Sequence, residues 1–203
     1  MGIRVRLAVF VFGVMTILLV LMSYANHIES NSYAKLEKIM ADANNLVVSV
    51  EKLDGNFQKQ LLAWSNLLLR GEEPDEYYRY LKFFYKQERD TRSEIVELEK
   101  QLEGYSVAQE EMRRLYEEHS QLGISYRRAL KVYNQSDDPI YETDRTIAKV
   151  VDAPLKTLES VKKSIIKHKE DNVFKAEKEI KENKDLVFII LFISMSVFIA
   201  VFL

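Results

Sequence analysis

Two runs without charge constrain everything else in the chain. The first is Leu7 to Tyr24, preceded by Arg4 and Arg6, and the second is Leu186 to Leu203. At about 1.5 Å per residue each covers roughly 27 Å as a helix, enough to cross the hydrocarbon core of a bilayer. Two such spans, residues 7–24 and 186–203, leave residues 25–185 together on one side of the membrane. Arginines before the first span and none soon after it place residues 1–6 in the cytoplasm, so residues 25–185 are expected to be extracytoplasmic. Lys181 and Lys184, on the outer side of the second span, pull against that rule. Ser23 and Ala25 have the small-x-small form of a signal-peptide processing site. Against cleavage, the run is longer than a usual signal core of roughly 7–15 residues, and the helical pattern continues beyond it, as in an uncleaved anchor.

The sequence between the spans reads as helix throughout. With 6 Gly, 3 Pro and 30% charged residues in 203, it lacks the turn density of a sheet protein. From Ile39 the apolar positions recur in steps of four and three: Ile39, Ala43, Leu46, Val50, Leu53, Phe57, Gln60, Trp64, Leu67. This is a heptad seam interrupted only by Gln60. Gly71 to Asp75 form the first turn, with Pro74 suited to open the next helix. A second seam follows as Tyr77, Leu81, Phe84, Glu88, Thr91, Ile95, Leu98 and Leu102, ended by Gly104. Ser106 and Gln109 have the spacing of a capping box. The third seam is Ala108, Met112, Leu115, His119, Leu122, Tyr126, Ala129 and Tyr133. Residues 136–139 are the last turn. The fourth seam reads Ile140, Asp144, Ile147, Val151, Pro154, Leu158, Val161 and Ile165, with a kink expected at Pro154.

Short turns force neighbouring helices to run antiparallel. The fold expected is all-α: an up-down-up-down four-helix bundle flanked by two transmembrane helices. Folding the seams at the turns puts Trp64, Leu81, Ala129 and Asp144 in one layer. Gln60, Phe84, Tyr126 and Ile147 fall in the next. Trp64 and Asp144 are therefore expected to meet.

The chemistry legible in the sequence is sparse. A formal charge of -2 and the lack of a basic patch with interleaved aromatics give no case for nucleic acid. There is no cysteine, no glycine-rich phosphate loop and no other enzyme motif, so the reading is not an enzyme, with no cofactor. None of His27, His119 and His168 follows a glutamate by three residues, and their spacing does not suit zinc, so no metal site is expected. The distinctive residues are the polar ones on the seams: Gln60, Glu88, Thr91, His119 and Asp144. Buried polar groups must be paired, and a hydrogen-bonded network among them would fix helix register. The same residues could instead make a ligand pocket or a weak point that lets the bundle shift between two packings. His119 is expected to bond to Thr91 or Glu88.

Three segments carry a resemblance. They are Phe57-x-x-Gln60-x-x-x-Trp64-x-Asn66-x-Leu68-Leu69-Arg70-Gly71, then His119-x-x-Leu122-Gly123-x-x-Tyr126-x-x-Ala129-Leu130, then Asp144-Arg145. Together they resemble the four-helix sensor modules of bacterial methyl-accepting chemotaxis proteins. Thr143 departs from the glycine often found before the Asp-Arg pair, and those receptors continue past the second span into cytoplasmic signalling domains. The resemblance implies a multi-pass chemoreceptor of the bacterial inner membrane with its sensor domain in the periplasm. It would detect a small molecule or a ligand-loaded periplasmic binding protein, and would pass the signal by helix displacement through the second span. Arg70, Arg145 and Asn66 are the candidate ligand contacts, chosen for distal position and polarity. A homodimer is implied too. Its contact would be a membrane-proximal stalk carrying Ile28, Leu36, Ile39, Met40, Val173, Ala176 and Ile180. The competing reading is a membrane-anchored structural or adaptor bundle that senses nothing.

Overall fold

The computed structural model describes residues 3–71, 73–135, 139–148 and 150–202. These form α1 (Ile3–Arg70), α2 (Pro74–Gln101), α3 (Ser106–Tyr133), α4 (Pro139–Ala148) and α5 (Asp152–Phe202), with no strand among the described residues. The fold is all-α.

The helix ends follow local chemistry. α1 stops at Gly71, a buried residue where an added Cβ would run into the Leu67 carbonyl and come within 3.2 Å of the Tyr133 hydroxyl and the Tyr77 ring. Glu72, in the same turn, lies outside the described residues. Pro74 opens α2, where its missing N–H is one that a helix start leaves unpaired in any case. Past the end of α2, Gly104 takes a φ of 91°, which a side chain would resist. The capping box expected at Ser106 does not form. Tyr105 is the cap residue, its carbonyl receives the Gln109 backbone N–H at 2.9 Å, and the Gln109 side chain donates instead to the Glu99 carbonyl at 3.5 Å. The expected turn at residues 136–138 lies outside the described residues.

The fourth stretch is not one helix. It breaks between Ala148 and Asp152, where the N–H groups of Val150 and Val151 both turn back to the Ile147 carbonyl at 2.9 and 3.2 Å. A kink was expected at Pro154. The chain breaks a turn earlier because proline has no N–H for the Val150 carbonyl and its ring would clash there. Pro154 thus stands in the first turn of α5, where proline is tolerated.

The chain divides into two compact units, Asp42–His168 and Met1–Ala41 with Lys169–Leu203. In the first unit the seams of α1, α2 and α3 fall on the core almost residue for residue. One buried cluster gathers Val50, Leu53, Ile95, Leu115 and Leu158; another gathers Phe57, Trp64, Phe84, Tyr126 and Ile147. Each fully buried side chain of this size contributes roughly 1.5–3 kcal/mol. α2 and α3 run antiparallel, since Arg113 meets Glu99 at 2.9 Å, Arg92 meets Ser120 at 3.0 Å and Arg127 meets Glu88 at 3.2 Å.

Two register expectations are corrected. α1 meets the α2–α3 pair about one turn away from the layers folded at the turns: Trp64 packs on Phe84 and Tyr126, at 5.4 and 4.6 Å between ring centroids. Phe84 and Tyr126 do share a level, at 4.7 Å. The lean of side chains toward the helix N-terminus brings Trp64 to Phe84 on α2. α3 runs parallel to α1 and leans the same way, so the contacts of Phe57 with His119 and of Trp64 with Tyr126 mark a shift of α1 along α3. The second correction concerns Asp144, which is exposed, while Thr143 is fully buried and donates to the Ala129 carbonyl at 3.5 Å. Trp64 and Asp144 therefore do not meet in the core. The break between Ala148 and Asp152 resets the seam by one residue, and a hydroxyl with a nearby carbonyl is far cheaper to bury than a carboxylate.

In the second unit the first part of α1 lies against the last part of α5. Lys35 pairs with Glu179 at 2.9 Å and Lys184 with Glu29 at 2.8 Å, while Ala176 and Ile180 are buried. Leu36 and Ile39, expected to face a second chain, are half-buried already, so the stripe is largely spent within one chain. Tyr33, Met40 and Phe174 remain exposed. One described helix is long and apolar enough to be a candidate membrane span: the part of α1 from Phe10 onward carries an 18-residue window of mean hydropathy 1.8, none of it buried. The side chains of Arg4 and Arg6, and of residues 198, 199 and 201–203 in the second expected span, lie outside those described.

Candidate functional site in the polar core

The two hydrocarbon clusters are interrupted where the seams of α2 and α3 turn polar. Thr91 lies between Phe84 of one cluster and Ile95 of the other, and His119 between Leu122 and Leu115. Both are buried, at 0% and 1% exposure. Across from them Gln60, also 1% exposed, brings its Oε1 to 3.0 Å from His119 Nε2. The expected partners of His119 were Thr91 and Glu88; the actual partner is Gln60, which the register of α1 along α3 places beside it. The Phe57 ring closes the site edge-on, 5.9 Å from the imidazole.

Burial keeps His119 uncharged. Desolvation, helped by the positive charge of Arg92, lowers its pKa from 6.5 to about 4. The Tyr126 phenol is pushed above its ordinary value by burial and by Glu88. At neutral pH these two buried groups are therefore both neutral. Glu88 is the one seam carboxylate near them. Its side chain keeps 15% exposure, pairs with Arg127 at 3.2 Å, and rests where a side chain at Gly123 would otherwise lie.

Hydrogen bonding is incomplete here. Gln60 Nε2, Trp64 Nε1, Thr91 Oγ1 and the Tyr126 hydroxyl are all buried, and among the described residues none has a hydrogen-bond partner. Each such group costs about 1–3 kcal/mol when desolvated without a partner. The expected network of Gln60, Glu88, Thr91, His119 and Asp144 is thus one direct bond, Gln60 to His119, beside an outer Glu88–Arg127 pair. Thr91 contributes an unpaired hydroxyl and Asp144 is outside. The indole of Trp64 and the hydroxyls of Tyr126 and Thr143 belong to the polar set. The apolar rings of Trp64 and Tyr126 disguised them as ordinary seam residues, and Thr143 stood one residue off the expected seam.

The distal candidates are arranged differently. Arg70 is exposed and donates to the Tyr80 hydroxyl at 3.3 Å; Arg79 reaches the same oxygen at 3.1 Å and lies over the ring at 4.9 Å. Arg70 thereby braces the end of α1 against α2. Half-buried Asn66 and exposed Arg145 take no part in that contact. Among the described residues no three His, Cys, Asp or Glu side chains are grouped to hold a metal ion.

The fold and the site define a class only, an all-helical chain with a neutral, partly satisfied polar layer in its core. Comparison with family models, with characterised proteins and with solved structures finds no match for the chain.

Proposed function

We propose that the chain is the sensor and transmembrane portion of a receptor built like the methyl-accepting chemotaxis proteins. In this reading residues 25–185 form an antiparallel four-helix bundle outside the cytoplasm, between spans at 7–24 and 186–203. A small molecule or a ligand-loaded binding protein shifts the bundle, and the shift passes along α5 into the second span. Two copies pair through the stalk, using the apolar residues left exposed, Tyr33, Met40 and Phe174.

The observation that carries the reading is where the resembling segments meet. Phe57, Gln60, Trp64, His119, Leu122, Tyr126 and Ala129 come from two of them and are all buried within one core, with Thr143, next to the third, donating to Ala129. A polar layer that divides the core and is incompletely bonded holds the packing less firmly than continuous hydrocarbon would, which suits a bundle that must move. The test is a hybrid in which residues 1–203 are joined to the cytoplasmic part of a methyl-accepting chemotaxis protein. The hybrid is exposed to amino acids, organic acids and aromatic acids while kinase output is followed. A reproducible, saturable change with one of these compounds supports the sensor. Silence toward all of them, in a hybrid whose kinase is otherwise active, favours a structural or adaptor bundle.

A further inference from the structure

The helix pair formed by the first part of α1 and the last part of α5 leaves two grooves that meet at Leu191. The first, about 360 Å³, has an apolar floor that includes Ile28, Ile180 and Phe188, and a polar rim of Glu29, Ser32, Asn183 and Lys184. The second, about 790 Å³, is lined by Val14, Leu18, Met195 and other apolar side chains, with Ser194 the lone polar residue. The change from polar to apolar coincides with the ends of the uncharged runs, since every rim residue lies just outside them and the whole second groove lies within. A ligand matching this gradient is polar at one end and hydrocarbon for the rest of its length.

The rim also selects a headgroup. Glu29 and Lys184 stand 2.8 Å apart, one anion beside one cation. Hydrogen bonds to Glu29 and Tyr33 raise the Lys184 pKa, so the ammonium persists at any ordinary pH. A headgroup with a phosphate alone would meet Lys184 and be repelled by Glu29, whereas one with both phosphate and ammonium complements both.

Resting on the membrane reading above, we propose that this groove binds a zwitterionic phospholipid of the phosphatidylethanolamine type. Its acyl chain runs past Leu191 and its headgroup lies on Glu29 and Lys184. The test uses the full chain in nanodiscs of equal phosphatidylethanolamine and phosphatidylglycerol, released into the gas phase for native mass spectrometry. The wild type retains phosphatidylethanolamine over phosphatidylglycerol by about fivefold, which corresponds to about 1 kcal/mol. Glu29→Gln with Lys184→Met removes that preference, and Leu191→Trp, or Met195→Trp if the former misfolds, lowers retention of both lipids. Equal retention of the two lipids by the wild type, retention unchanged by either tryptophan, or recovery only as lipid-free dimers overturns the proposal. An alkaline wash of membranes separates this from the reading beneath it. A chain released by the wash defeats the membrane reading, and a chain that stays in the pellet without retained lipid defeats only the groove.

Discussion

His119 offers the sharpest check on the polar core, because its neutrality has a consequence for stability. The imidazole is buried, bonded to Gln60 Oε1 at 3.0 Å, and holds a pKa of about 4 in place of 6.5. Between those two values the unfolded chain takes up a proton that the folded chain refuses, so stability falls as the pH falls. The loss begins near pH 6.5, runs at about 1.4 kcal/mol per pH unit, and levels off near pH 4. At pH 5.0 it amounts to about 2 kcal/mol. Arg92 on α2 works in the same direction as burial, while Glu88 on α2 and Glu118 on α3 are the nearby carboxylates; stopping at pH 5.0 limits the general titration of carboxylates, whose ordinary values lie near 4. The assay is thermal unfolding of the full chain in mild detergent, followed by helical circular dichroism at pH 7.5 and 5.0, for wild type and His119→Gln. For a chain of this size 2 kcal/mol corresponds to roughly 4–8 °C. The wild type is expected to lose that much more than the variant on acidification. Equal losses in both proteins, or a His119 imidazole resonance, identified by its absence from His119→Gln, that titrates near 6.5, refute the account of a desolvated, neutral His119.

Further outcomes follow from the same geometry. At pH 7.5 His119→Gln costs about 1 kcal/mol, the scale of one net hydrogen bond, with no change in metal content by elemental analysis. Asp144→Ala changes stability by less than about 0.5 kcal/mol, whereas Thr143→Leu costs about 1–3 kcal/mol by overpacking; the reverse order in denaturation would restore Asp144 to the core. Gly104→Ala costs about 1–2 kcal/mol because its φ is 91°. Since the chain has no cysteine, Ser65→Cys supplies a single thiol, which an impermeant maleimide labels in intact cells if the bundle is extracytoplasmic; labelling only after lysis contradicts the orientation. A disulfide between copies forms at Met40→Cys more readily than at half-buried Leu36→Cys, and the opposite result returns the stalk contact to Leu36 and Ile39.

The parts of the fold written in period were legible. The seams of α1, α2 and α3 reach the core because each is long, unbroken and spaced in threes and fours, and periodicity needs nothing else. The fourth seam was legible only below the break. Above it, stepping back from Ile147 by three gives Asp144 and by four gives Thr143, and a kink placed at Pro154 rather than between Ala148 and Asp152 selects the wrong one. Register was off by a turn for a different reason: counting residues through the turns does not fix how far α1 slides along α3. His119 and Gln60 were visible as polar interruptions of an apolar pattern. The unpaired Trp64 and Tyr126 atoms were not, because both residues count as apolar in any such pattern.

The central claim is that the polar layer is what allows the bundle to respond, and replacing it with hydrocarbon tests this directly. Gln60→Leu with His119→Leu removes both partners of the buried bond, a change that is close to neutral or stabilising when the shape is kept. The measurement is kinase output of the hybrid receptor against concentration of the compound that activates the wild type, with melting temperature measured on the same two proteins. The double variant is expected to be as stable as the wild type or more so, and to lose the response. A double variant that folds as well and responds with undiminished amplitude would contradict the assignment of the polar core as the moving part.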